Sequence, residues 1–121
     1  MLPARHRMRR SAEFARTIRE GIRSAGRYLV VHAARIADPT PAEPARVGFV
    51  VSKAVGGAVE RNKVQRRLRA AIDPTCLDEG FLLVVRARPA AARASFTELQ
   101  QELERLYGRV RGRVAEEGVR R

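Results

Sequence analysis

The sequence predicts a small α+β domain, a two-layer sandwich of one sheet and packed helices in the order α-β-β-β-α-β-α. Apolar residues recur at helical spacing in three stretches, β-branched runs of strand length lie between them, and Gly and Pro punctuate the joins. A chain of 121 residues is the size of one domain. We therefore read 1–121 as a single unit, with a basic arm at 1–10 and a flexible tail at 112–121.

Each element has its own signal. Ser11 reads as an N-cap with Glu13 in the first turn, and Phe14, Ile18 and Ile22 repeat every fourth residue to give a first helix before Gly26. Tyr28-Leu29-Val30-Val31-His32, within 27–37, is a first strand ended by Asp38-Pro39-Thr40-Pro41-Ala42-Glu43-Pro44. Arg46 to Ser52 is a second strand, and the proline-rich loop predicts that the two form a hairpin. Gly56-Gly57 then interrupts the chain before a short Ala58-Val59 segment, read as a third, short strand. A second helix follows from Glu60 to Ile72, with Val64, Leu68, Ala71 and Ile72 as its apolar stripe and Asp73-Pro74 as its stop. Gly80 to Arg88 is the last strand. Ser95-Phe96-Thr97-Glu98 is a capping box opening a third helix, with Leu99, Leu103, Leu106 and Val110 on its buried side. No apolar period continues past Gly112.

Charge narrows the partner. Twenty-five Lys and Arg against 13 Asp and Glu give a net charge of +12, which predicts a polyanion. Lys53 and Lys63 are the only lysines; the rest is arginine, whose planar fork suits phosphate. The longest apolar runs, such as Phe81 to Val85, are far too short to span a bilayer. The opening residues carry Arg5, Arg7, Arg9 and Arg10 with no acid and no secretory apolar stretch, as a basic RNA-seeking arm would. Cys76 stands alone, so no internal disulfide or thiolate metal cluster is expected, and a reducing cytoplasm fits. Signatures of protein chemistry are missing: there is no Gly-x-Ser-x-Gly elbow, no phosphate loop after Gly56-Gly57, and no His pair at helical metal spacing. Asp73, Asp78 and Glu79 sit in turn-like surroundings typical of solvated acids. Neither a protein metal site nor protein catalytic residues are expected.

The second helix carries the strongest functional signal. At 100° per residue its apolar positions gather on one side, while Asn62, Lys63, Arg66, Arg67 and Arg69 spread over the other. A merely solvated face would intersperse acids for i,i+4 pairing, yet only Glu60 is available against Arg61, Lys63, Arg66, Arg67 and Arg69. An external polyanion balances that excess.

Here the sequence resembles a known family, the protein subunit of bacterial ribonuclease P. The resemblance rests on Arg46-Val47-Gly48-Phe49-Val50-Val51-Ser52-Lys53, on Val55-Gly56, and on Ala58-Val59-Glu60-Arg61-Asn62-Lys63-Val64-Gln65-Arg66-Arg67-Leu68-Arg69, which looks like the family's strand, turn and "RNR" helix. The basic leader, Phe14, the strand from Arg27 to His32 and the strand from Phe81 to Pro89 extend it over most of the chain. Lys63 stands where the motif commonly has its second Arg, and Gln65 where a basic residue is frequent. Arg67, beside Arg66 but about 100° around the helix, cannot take over the same contact.

The resemblance implies a left-handed βαβ crossover, against the strong right-handed norm. It implies that Arg61, Asn62, Lys63, Arg66, Arg67 and Arg69 bind the catalytic RNA. A cleft between the first helix and the sheet, lined by Phe14, Ile18, Val30, His32 and Lys53, would hold the 5′ leader of precursor tRNA. The protein then positions RNA, and Mg²⁺ held by the RNA subunit activates the attacking water. No cofactor bound by the protein alone and no obligate protein partner are expected. The competing class is a general ribosome-associated or structured-RNA-binding protein, which would share the charge but not the specific engagement of leaders. A DNA-binding repressor would need a turn-linked helix pair that the pattern lacks.

Overall fold

The computed structural model describes residues 3–36, 43–73 and 76–120, with side chains described as far as Val114. Helix α1 spans Ser11–Glu20 and is followed by strands β1 (Ile22–Ala25), β2 (Leu29–Arg35) and β3 (Arg46–Val50). Helix α2 (Ala58–Ala71), strand β4 (Phe81–Ala87) and helix α3 (Phe96–Arg120) complete the domain. The expected α-β-β-β-α-β-α order is present. Two of its assignments shift.

The additional short strand is β1, built from residues that read as the end of the first helix. Helix α1 stops at Glu20, the Gly21 N–H still bonds Thr17 O at 3.0 Å, and Ile22 opens the strand. Phe14, Ile18 and Ile22 fit one helical stripe only if Gly21 does not end it. Ala58 and Val59, read as a strand, are instead the first turn of α2. Ser11 is the first helical residue rather than the cap; Arg10 occupies the N-cap position without a side-chain bond.

The sheet order is β1-β2-β4-β3. β2 is therefore no hairpin partner of β3. β4 lies between them, antiparallel to β2 (Leu29↔Ala87 to Arg35↔Phe81) and parallel to β3 (Arg46↔Leu82 to Val50↔Arg86). The β3–α2–β4 unit is thus a crossover between parallel neighbours, as the resemblance implies. Most of the proline-rich loop lies outside the described residues.

Alternation along the strands sorts their side chains to two faces. Val31 and Ala33, Leu83 and Val85, and Val47 point to one face, where Val64 and Leu68 of α2 and Leu99, Leu103, Leu106 and Val110 of α3 close over them. The α3 capping box forms as expected: Glu98 N–H donates to Ser95 Oγ at 3.1 Å, and Ser95 N–H to Glu98 Oε1 at 3.0 Å. The expected end of α3 at Gly112 is not observed, since the helix continues to Arg120 and Val114 is buried in the same core. On the other face α1 covers a smaller cluster of Met8, Ile36, Leu82 and Val84, with Phe14, Ile18 and Val50 half-buried against it.

Two ties hold the sheet ends. The buried Glu102 carboxylate accepts the N–H groups of Arg27 (2.8 Å), Tyr28 (2.7 Å) and Leu29 (2.7 Å), so α3 fixes the β1–β2 turn. At the other edge the arm docks on β3: Met8 N–H bonds Val47 O at 2.9 Å, and the buried His6 ring bonds Ala45 O through Nδ1 at 2.9 Å.

Candidate RNA-binding surfaces

Helix α2 presents the basic face expected of it, with an internal division. Val64 and Leu68 are fully buried, whereas Asn62, Lys63, Arg66 and Arg69 are exposed. Arg67 is turned away from that row: half-buried, it donates from Nη1 to Ala94 O at 2.7 Å and ties α2 to the segment before α3. Arg61 is half-buried, and its Nε has no hydrogen-bond partner among the described residues. Val59, 77% exposed, stands one turn before Asn62 and Lys63 on the exposed side, an apolar member of the face that charge counting passes over.

Lys53 lies in the turn between β3 and α2, where Val55 N–H bonds Ser52 O (3.1 Å) and Gly56 N–H bonds Lys53 O (3.2 Å). Gly56 has φ +152°, a conformation that favours glycine, so the turn holds Lys53 exposed on a fixed backbone.

The other candidate surface is the sheet face shared with α1. Phe14 lies directly on the backbone of Gly48; a Cβ there would overlap its ring. This close approach lets α1 settle on the sheet while Phe14 and Ile18 stay half-exposed. Val30 and His32 lie on the same face of β2. Both are buried, so of the five residues expected to line a cleft Phe14, Ile18 and Lys53 offer accessible surface, Lys53 from the turn after β3 and not from this face.

His32 is 2% exposed, and neither ring nitrogen has a hydrogen-bond partner among the described residues. Burial pushes its pKa down from the ordinary value, and the Arg86 and Arg23 guanidinium groups push the same way. Arg23 pairs directly with His32 across the β1–β2 ladder, and Arg86 stands on the neighbouring β4. Sequence reading missed both arginines, because only the register brings them to the histidine.

The arm's arginines form a third basic region. Arg5, Arg7 and Arg9 are exposed while His6 and Met8 are buried between them. Arg46, which the sequence places only in a strand, joins them through ion pairs to Glu13 (2.6 Å) and Glu43 (2.9 Å). Among the described residues no cluster of three or more His, Cys, Asp or Glu could hold a metal ion, and no helix is long and apolar enough to cross a membrane. Asp78 is engaged by Arg111 at 2.6 Å and by the Tyr107 hydroxyl.

Comparison with known proteins places this architecture. The family model Ribonuclease P matches residues 2–111. The chain is 57% identical to the ribonuclease P protein component of Beutenbergia cavernae over 106 residues, covering 86% of this chain and 87% of that one. It is 51% identical to its counterpart from Mycobacterium sp. strain KMS over 117 residues, covering 94% and 97%. Among solved structures, the Thermotoga maritima RNase P protein superposes with a TM-score of 0.73 at 26% identity, covering 86% of this chain and 96% of that one. A Staphylococcus aureus RNase P protein structure gives 0.70 at 28% identity, with 84% and 91% covered. With the same α+β fold and matches spanning nearly its whole length, the chain belongs to the ribonuclease P protein family.

Proposed function

We propose that this protein, as a component of the tRNA-processing ribonucleoprotein ribonuclease P, uses α2 to anchor the catalytic RNA and the α1–sheet face to hold the 5′ leader of precursor tRNA. The observation that carries the reading is the division of α2: two fully buried apolar residues on one side, and Asn62, Lys63, Arg66 and Arg69 exposed on the other. Four exposed polar residues with three positive charges suit the phosphate backbone of a structured RNA.

The α1 face suits a single strand. Half-exposed Phe14 and Ile18 supply an apolar platform, Arg23 and Arg86 supply positive charge on the same sheet face, and Lys53 adds charge at the turn after β3. His32 lies in the floor with both ring nitrogens unengaged, so a base edge or sugar hydroxyl is its natural partner. In this reading the protein cleaves nothing. The catalytic RNA carries the Mg²⁺ that activates water, and the protein contributes substrate affinity and a lowered metal requirement, within the cytoplasm.

The test is cleavage of a precursor tRNA by the catalytic RNA at low Mg²⁺, with and without the protein. Stimulation by the intact protein, lost when the leader is shortened to a single nucleotide, is expected. Equal rates with and without protein would sink the proposal.

A further inference from the structure

We infer that the docked N-terminal arm is a preformed track for consecutive phosphates of single-stranded RNA, separate from α2. The inference rests on the RNA-binding reading above. The arm pairs beside β3 through the Arg7–Val47 bridge and the Met8 to Val47 hydrogen bond, so it continues the sheet at the edge away from β2. Ala4–His6 is a single 3-10 turn, and beyond it the backbone is extended at Arg7 and again at Arg10. His6 (7% exposed) and Met8 (4%) are buried, while Arg7 and Arg9 form an exposed row and Arg5 is exposed on the turn before them. At about 3.4 Å per residue along extended backbone, Arg7 and Arg9 start roughly 6.8 Å apart. That spacing is of the order separating phosphates along an extended nucleic-acid strand.

The row opens onto a concavity of about 580 Å³ lined by Arg5, Arg7, Arg9, Arg10 and Arg46, with Glu13 and Glu43 as its acids. Arg46 engages both carboxylates, so they hold it in place. Arg9 and Arg10 leave a positive excess on its lining that an extended polyanion neutralises. Arg9 and Arg10 have no ion-pair partner among the described residues.

His6 is the positioning residue. Its Nδ1 bonds Ala45 O at 2.9 Å, and its Nε2 faces Arg5 Nε at 3.3 Å. The ring thereby fixes the arm to the start of β3 and holds Arg5 beside it. Ordering the arginines before RNA arrives removes the entropy cost that a loose basic tail would bear on binding.

The test measures binding of the full chain to a 12-residue oligouridylate, which carries phosphates but no folded structure, across a series of salt concentrations. Arg9→Ala/Arg10→Ala is expected to lower the magnitude of the log-affinity versus log-salt slope by about 1.4, the single-strand value for two phosphates. Arg19→Ala/Arg109→Ala removes the same charge from two other exposed positions and is expected to leave the slope near the parent value. His6→Ala keeps every arginine and is expected to weaken binding several-fold with little change of slope, circular dichroism confirming the fold. Equal slope changes in the two double variants, or parental affinity in His6→Ala, overturn the inference. Repeating the series with catalytic RNA alone and with precursor tRNA identifies which strand uses the track, and a loss confined to oligouridylate also overturns it. Stimulated cleavage alongside any such failure leaves the broader ribonuclease P reading standing and removes only the arm's part in it.

Discussion

The two faces of the sheet are built from the same strands and treated in opposite ways. Under α2 and α3 the core is continuous, running from Leu29 and Val31 through Leu83 and Val85 to Leu68, Leu99 and Val110, each at or below 1% exposure. Under α1 the cluster is small, its covering residues Phe14, Ile18 and Val50 remain half-exposed, and a histidine with no hydrogen-bond partner among the described residues sits in the floor. Folding strength is concentrated on one face. The other keeps apolar and polar groups uncommitted, as a surface that binds something must.

The sharpest way to break this comparison is in the sealed face. Leu68→Ala, at a fully buried position, is expected to cost about 2–5 kcal/mol in urea unfolding, whereas Phe14→Ala, half-exposed on the open face, should cost less and reduce leader affinity more. A Phe14 variant as destabilised as the Leu68 variant, with leader affinity intact, would make α1 a core helix only. Gly48→Ala comes next. Its new methyl must displace the Phe14 ring, so weaker leader binding and about 1–3 kcal/mol of overpacking cost are expected, the first read by titration and the second by denaturation.

Smaller effects separate Arg66 from Arg67. Arg67→Ala leaves the Ala94 carbonyl without its donor and should lower stability by about 0.5–1.5 kcal/mol. Arg66→Ala should leave stability within about 0.5 kcal/mol and instead reduce the salt slope of catalytic-RNA binding by roughly 0.9 if the helix meets duplex phosphates. Matching salt slopes for the two variants would contradict the division of labour on α2.

The subtlest prediction concerns pH. Because the His32 pKa is lowered in the folded protein, the unfolded chain binds the proton more readily. The contribution of neutral His32 is complete above the unfolded value near 6.5 and declines as pH falls from there through the folded value. Melting curves between pH 8 and 5 should show this fall, and His32→Gln should flatten it. Bound leader phosphate should raise the pKa of His32, which NMR titration of the ring can follow.

Much of this was legible in the sequence because it depends on local pattern. The α3 stripe, the capping box, and the buried and exposed sides of α2 follow from a period of 3.6 residues and from one short motif. What was not legible depends on distant partners. Nothing near Arg46 says that β4 will separate β3 from β2, and a proline-rich loop reads as a hairpin whichever strand arrives between its ends. Arg67 differs from Arg66 only in where the Ala94 carbonyl lies. Ile22 was misplaced because its spacing from Ile18 serves a helix as well as a strand start, and Gly21 decides between them only once the β1–β2 ladder exists.

The position of β4 also bears on how the chain is made. Of the two interior strands of the sheet, β4 is the last strand in sequence, so β2 and β3 have no ladder partner between them until Phe81–Ala87 has left the ribosome. The Glu102 carboxylate that closes the β1–β2 turn is synthesised later still. Until β4 emerges, the β1–β2 ladder is the part of the sheet that can pair, and β3 waits in the open for its neighbour.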